Sequence, residues 1–110
     1  MTEFEEFKRE FTTYQDLFGL SGYRVYFKHE ADDKGESSII IDTNNMIATV
    51  CLNANPPQGS EGGVAICGKH EAIHLLLGRL MTMALSRHVT AGEILEATEE
   101  VVNKLENLIP

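Results

Sequence analysis

The stretch CGKHEAIHLLLGRL, residues 67–80, decides how the chain reads. It holds His70-Glu71-Ala72-Ile73-His74, an H-E-x-x-H pattern set in an apolar helical run. Apolar residues from Val64 to Ala84 fall on more than one side of a helix, which predicts one long central helix from near Glu61–Val64 to about Leu85, buried by several neighbours. On such a helix residues four apart lie about 40° apart around the axis, so His70 and His74 point the same way. Two imidazoles on one face can chelate a metal through their nitrogens. Glu71 flanks the same spot and can take a proton from metal-bound water.

The elements around this helix follow from periodicity and breakers. Phe4, Phe7, Phe11, Tyr14 and Phe18 recur at three- and four-residue spacing, predicting an amphipathic helix over roughly 3–18 that ends at Gly19. Tyr23–Lys28, Ser38–Asp42 and Met46–Leu52 are rich in β-formers and read as three strands, the last two as a hairpin turning at Asn44-Asn45. The run 53–63, NANPPQGSEGG, reads as a loop, broken by Pro56, Pro57 and its glycines. Thr90-Ala91-Gly92-Glu93 fits a capping box and opens a last helix over 91–108. The expected class is α+β, as one domain over residues 1–110: an N-terminal helix, a short three-stranded sheet, the motif helix and a C-terminal helix.

Composition narrows the function classes. A net charge of −8 argues against nucleic acid, where phosphates need clustered Lys and Arg. The acidic start MTEFEEF lacks the basic and apolar regions of a secretory leader, and no apolar run approaches the ~20 residues that span a bilayer. The expectation is a cytoplasmic protein with no membrane contact. Cys51 and Cys67 are then expected to be reduced. Cys67, three residues before His70, either packs as a small hydrophobe or serves as a thiolate ligand, and packing is the preferred reading.

A catalytic zinc usually takes three protein ligands and leaves one position open. The extended pattern H-E-x-x-H-x-x-G-x-x-H fails, because Leu77 and Leu80 stand where Gly and His would be. The last helix offers Glu93, Glu96, Glu99 and Glu100. Its apolar face centres near Thr98 and Leu105, and Glu99 lies nearest that face, with Glu100 next.

The motif at 70–74 followed by a glutamate on a separate helix resembles the gluzincin zinc metallopeptidases, and the whole length is similar to the minimal single-domain minigluzincins, some of which are phage proteins. That resemblance implies a zincin-like fold, zinc bound by His70, His74 and Glu99, and Glu71 as general base and then acid. Many gluzincins carry E-x-x-x-D at the third ligand. Here Asn103 stands in place of the Asp and would orient a histidine ligand by hydrogen bonding. The resemblance also implies a peptide or protein substrate paired along an edge strand, for which Met46–Leu52 is the expected strand. For an oxyanion stabiliser, His88 and Tyr14 are candidates, although a helix-end cation and a core aromatic are their simpler roles. Two other classes stay open: a zincin-fold regulatory or interaction protein that holds metal without peptidase turnover, and a plain interaction domain without metal.

Overall fold

The computed structural model describes residues 1–56 and 63–110. Seven elements follow in chain order: α1 (Glu3–Leu17), β1 (Arg24–Glu30), β2 (Ser37–Asp42), β3 (Ile47–Asn53), α2 (Val64–Leu76), α3 (Gly78–Leu85) and α4 (Ala91–Leu108). The α+β class and the helix-sheet-helix order agree with the sequence reading. The loop expected at 53–63 falls largely on residues 57–62, outside the described residues.

Helix α1 begins with a capping box that periodicity alone does not reveal. Thr2 Oγ1 accepts the Glu5 N–H at 3.1 Å, and Glu5 Oε2 accepts the Thr2 N–H at 3.3 Å. Glu3, Glu5 and Glu6 sit in the first turn, where the helix dipole favours negative charge. The helix stops at Gly19, whose φ of +70° closes the turn at no steric cost. Phe7 and Phe11 are fully buried and meet Phe27 of β1 edge-on, at ring separations of 6.3 and 5.5 Å. Burial of each contributes roughly 1.5–3 kcal/mol.

The sheet has the order β1-β3-β2, with β1 parallel and β2 antiparallel to β3. The β2–β3 hairpin is therefore as expected. The choice of Met46–Leu52 as the edge strand is not: β3 is central, and β1 and β2 form the edges. The reason lies in burial. Ala48, Val50, Cys51, Leu52 and Asn53 are all buried, so β3 needs neighbours on both sides.

One ladder bond fixes the phase of the hairpin. The Asn53 N–H donates to the Glu36 carbonyl at 2.9 Å, and pairing runs Ser37–Leu52, Ser38–Cys51, Ile39–Val50. In antiparallel pairs every second residue turns its backbone groups inward. Ser38, Ile40 and Asp42 therefore face β3. The N–H and C=O groups of Ser37, Ile39 and Ile41 point away from it, along the open edge of β2. The side chains of these same three residues face the helices, whereas Ile40 is exposed on the far face.

The start of β2 is held by Asn53, a buried amide. Its Nδ2 donates to the carbonyls of Asp32 and Gly35, both at 2.7 Å, and its Oδ1 accepts from Asp32 N and Asn55 N. This pins the turn that delivers Glu36 and Ser37 to the edge.

The predicted single helix over Glu61–Leu85 is two helices. The chain breaks at Leu77 (φ −87°, ψ −1°) and resumes as α3. At the break Gly78 passes against β2, where a Cβ would come 3.3 Å from the Ile41 side chain. Nor is α2 buried all round. Cys67, Gly68, Glu71, Ala72, Leu75 and Leu76 are buried, while Ile66, His70, Ile73, His74 and Leu77 are exposed along the other flank. The buried side crosses α1 closely at Gly68, where a Cβ would stand only 2.7 Å from the Phe7 carbonyl oxygen. Helix α4 starts on the expected capping box, Thr90 with Glu93. It packs through Ala97, Val101, Leu105 and Leu108. Among the described residues no helix is long and apolar enough to cross a membrane.

Candidate metal centre

The middle of α2 carries the motif. His70 Nε2 and His74 Nε2 lie 3.2 Å apart, and a carboxylate oxygen of Glu71 joins them in a group whose donor atoms all lie within 4.8 Å of one another. Helical spacing alone accounts for the two rings sharing a face. Both histidines are exposed, so they are open to solvent and ligand rather than buried among the neighbouring leucines. The case for a metal rests on the convergence of the two nitrogens.

Glu71 is the opposite case. It is 3% exposed, with a carboxylate oxygen within 4.8 Å of the ring nitrogens. The Ser37 hydroxyl on β2 donates to its Oε2. A buried carboxylate without such a partner is costly, and here the Ser37 hydroxyl satisfies one of its oxygens. Sequence reading missed Ser37, because a serine opening a strand gives no sign of a partner 34 positions away.

The donor set suits a divalent transition metal. Two imidazole nitrogens 3.2 Å apart can both lie ~2.0–2.1 Å from one ion at roughly a tetrahedral angle. The third donor within reach is the Glu71 carboxylate. Among the described residues no other group of three or more His, Cys, Asp and Glu side chains comes together in this way.

Glu99, the expected third ligand, is exposed on α4 and is not a member of this group. Glu100, the alternative, is half-buried and pairs with Arg79 of α3, which also reaches Glu96 at 3.4 Å. Asn103 is exposed, and its carbonyl accepts a bond from Asn107. His88 is exposed beyond α3, while Tyr14 packs against Phe18 and the core with Lys69 over its ring.

Cys67 is buried beside the site and donates to Glu36 Oε2 at 3.2 Å. Burial, then this bond to a carboxylate, push its thiol up to about 11. It packs as a protonated thiol outside the histidine group, in line with the small-hydrophobe reading. Cys51 is also free and buried.

Two cavities flank the histidines along β2. One, of about 310 Å³, is lined by Glu36, Ser37, Ile66, Cys67, His70 and Glu71. The other, of about 520 Å³, is apolar and runs from His74 past Leu77 and Met81 to Ile39 and Ile41. No family model, curated protein or solved structure matches the chain.

Proposed function

We propose that the protein is a zinc-dependent peptidase of the gluzincin kind, with His70 and His74 as metal ligands and Glu71 as general base and then acid. The observation that carries this reading is the convergence of two exposed imidazole nitrogens above one buried, hydrogen-bonded carboxylate. When bound, zinc supplies a positive charge for a carbonyl oxygen and lowers the pKa of water towards neutrality. Glu71 takes the water proton at Oε1 and returns it to the departing amine, while Ser37 keeps Oε2 fixed. Water attack and proton return together break the C–N bond of a peptide and leave a carboxylate and an amine.

The substrate in this reading is an extended peptide lying along β2 rather than β3. The outward main-chain groups of Ser37, Ile39 and Ile41 offer it hydrogen bonds, as edge-strand recognition requires. Glu99 is the third ligand that the resemblance would add, from its exposed position on α4.

The test is peptide hydrolysis by zinc-loaded wild type and by Glu71→Gln. The proposal expects turnover that falls ~100-fold or more in the variant with zinc retained, the span of general acid–base catalysis. Turnover that survives the change removes Glu71 from the mechanism. A second reading is favoured by the position of Glu99 outside the histidine group: a zincin-like regulatory or interaction protein that holds metal without turnover. It expects bound zinc and no hydrolysis of any extended peptide.

A further inference from the structure

The sheet has two faces, and the helices cover one. Val25, Phe27, Ile39, Ile41, Val50 and Leu52 pack into the core on that side. Side chains alternate along a strand, so their neighbours in sequence stand on the far face. There the register forms rows across the three strands: Arg24–Ile47–Asp42, then Tyr26–Thr49–Ile40, then Lys28–Cys51–Ser38. Tyr26 and Ile40 are 50% and 63% exposed, so the middle row is an apolar strip left open by the described residues. Arg24 and Asp42 are exposed at opposite ends of the first row and join no ion pair among the described residues. Asn45 donates to both carboxylate oxygens of Asp42, at 3.1 and 2.8 Å, which orients the group and leaves its charge uncompensated. The third row carries Lys28 at one end. At the other stands Ser38, whose hydroxyl donates to Asp32 at 3.2 Å.

We propose that the far face of the sheet is the interface of a weak homodimer, in which a second copy packs face to face about a two-fold axis parallel to β3. Such an axis exchanges the two edges of the sheet and keeps each row at its level, and every contact off the axis is made twice. Arg24 then lies over the partner's Asp42, Tyr26 over the partner's Ile40, and Lys28 over the partner's Ser38 and Asp32. The other aligned packing has its axis across the strands. It lays β1 over β1 and sets Arg24 against the partner's Lys28, a like-charge contact. Charge therefore selects the axis along β3. Area sets the strength. Three strands about 4.8 Å apart and seven residues long cover on the order of 300 Å². That is well short of the ~800 Å² per partner of a stable complex. Each copy also carries a net charge of −8, which opposes association at long range. The dimer is accordingly reversible, with a Kd on the order of 0.1 mM. The motif helix lies on the covered face, as the bond from Ser37 to Glu71 requires, so both histidine pairs stay open in the dimer. The inference does not depend on the peptidase reading.

The experiment is sedimentation velocity of the full chain at concentrations from about tenfold below to about fivefold above that Kd, in roughly physiological salt. Wild type is expected to shift from monomer towards dimer across this range. Arg24→Asp and Asp42→Arg each put like charges face to face at both ends of the interface, and each should weaken association at least tenfold. An equimolar mixture of the two variants restores opposite charges at both ends of the heterodimer. It should associate about as well as wild type, a recovery that damaged folds cannot produce. The double variant Arg24→Asp/Asp42→Arg should do the same by itself. Wild type that stays monomeric throughout overturns the proposal, as does association unchanged in both single variants. A mixture and a double variant that stay as monomeric as the single variants overturn it too. So does stronger association in Arg24→Asp, which the axis across the strands predicts and the axis along β3 forbids.

Discussion

The Ser37 hydroxyl donates to the Glu71 carboxylate, joining the edge strand of the sheet to the middle of the motif helix across 34 positions of sequence. Glu71 is buried at 3% exposure, and this bond ties the candidate base in place within 4.8 Å of the His70 and His74 ring nitrogens. The strand that would bind a substrate and the carboxylate that would act on it are thus linked directly.

Ser37→Ala leaves that buried carboxylate oxygen without its side-chain partner. The expected cost is about 1–3 kcal/mol of stability. For a chain of this size each kcal/mol lowers Tm by on the order of 4–8 °C. Ser37→Thr keeps the hydroxyl and should recover most of the loss. Thermal denaturation of the three proteins checks this, and an unchanged Tm in Ser37→Ala would show that the bond does not hold Glu71.

Gly68→Ala tests the crossing of α1 over α2. The added methyl would meet the Phe7 carbonyl oxygen at 2.7 Å and the Phe11 nitrogen at 3.0 Å, both backbone atoms that cannot turn aside. Alanine favours helix by about 1 kcal/mol over glycine, so an open site would be stabilised. Here overpacking should win, with a net loss of roughly 1–3 kcal/mol in chemical denaturation. A gain in stability would mean that the two helices lie further apart.

Cys67 should resist alkylation at neutral pH. Burial and its bond to Glu36 push the thiol from 9.0 up to about 11. The sign for stability follows from linkage. The folded state holds its proton more tightly than the unfolded chain, so the contribution is full below pH 9 and is lost as pH rises from 9 towards 11. Iodoacetamide labelling against pH, read by peptide mass to separate Cys67 from Cys51, should show its half-rise near 11. A half-rise at or below 9 would contradict the buried, hydrogen-bonded thiol.

The parts of this fold legible in the sequence are those set by local rules. Phe7 and Phe11 mark the buried face of α1, Thr90 and Glu93 mark the start of α4, and the spacing of His70 and His74 brings their rings together. The rest depends on contacts between distant residues. Parallel pairing of β1 with β3 is invisible to alternation within either strand, so β3 was read as an edge when it is the centre. The break at Leu77 answers to the approach of Gly78 to Ile41, a packing event with no local breaker beyond one glycine. Periodicity on α4 ranked Glu99 as the inward acid from apolar positions alone. It could not register that Arg79 of α3 would engage Glu96 and Glu100 on the neighbouring flank. Ser37 carried no local signal at all.

The central claim is a metal held by the motif, and zinc per chain measured by elemental mass spectrometry tests it most directly. Wild type, the double variant His70→Ala/His74→Ala and Glu99→Ala are compared after zinc loading and desalting. The account predicts about one zinc per chain in wild type and almost none in the double variant, in keeping with two histidine ligands of one ion. A lower content in Glu99→Ala makes that residue the third ligand, and an equal content leaves the ion to the cluster on α2. Wild type that holds no zinc after loading, or a double variant that holds as much as wild type, would contradict the account.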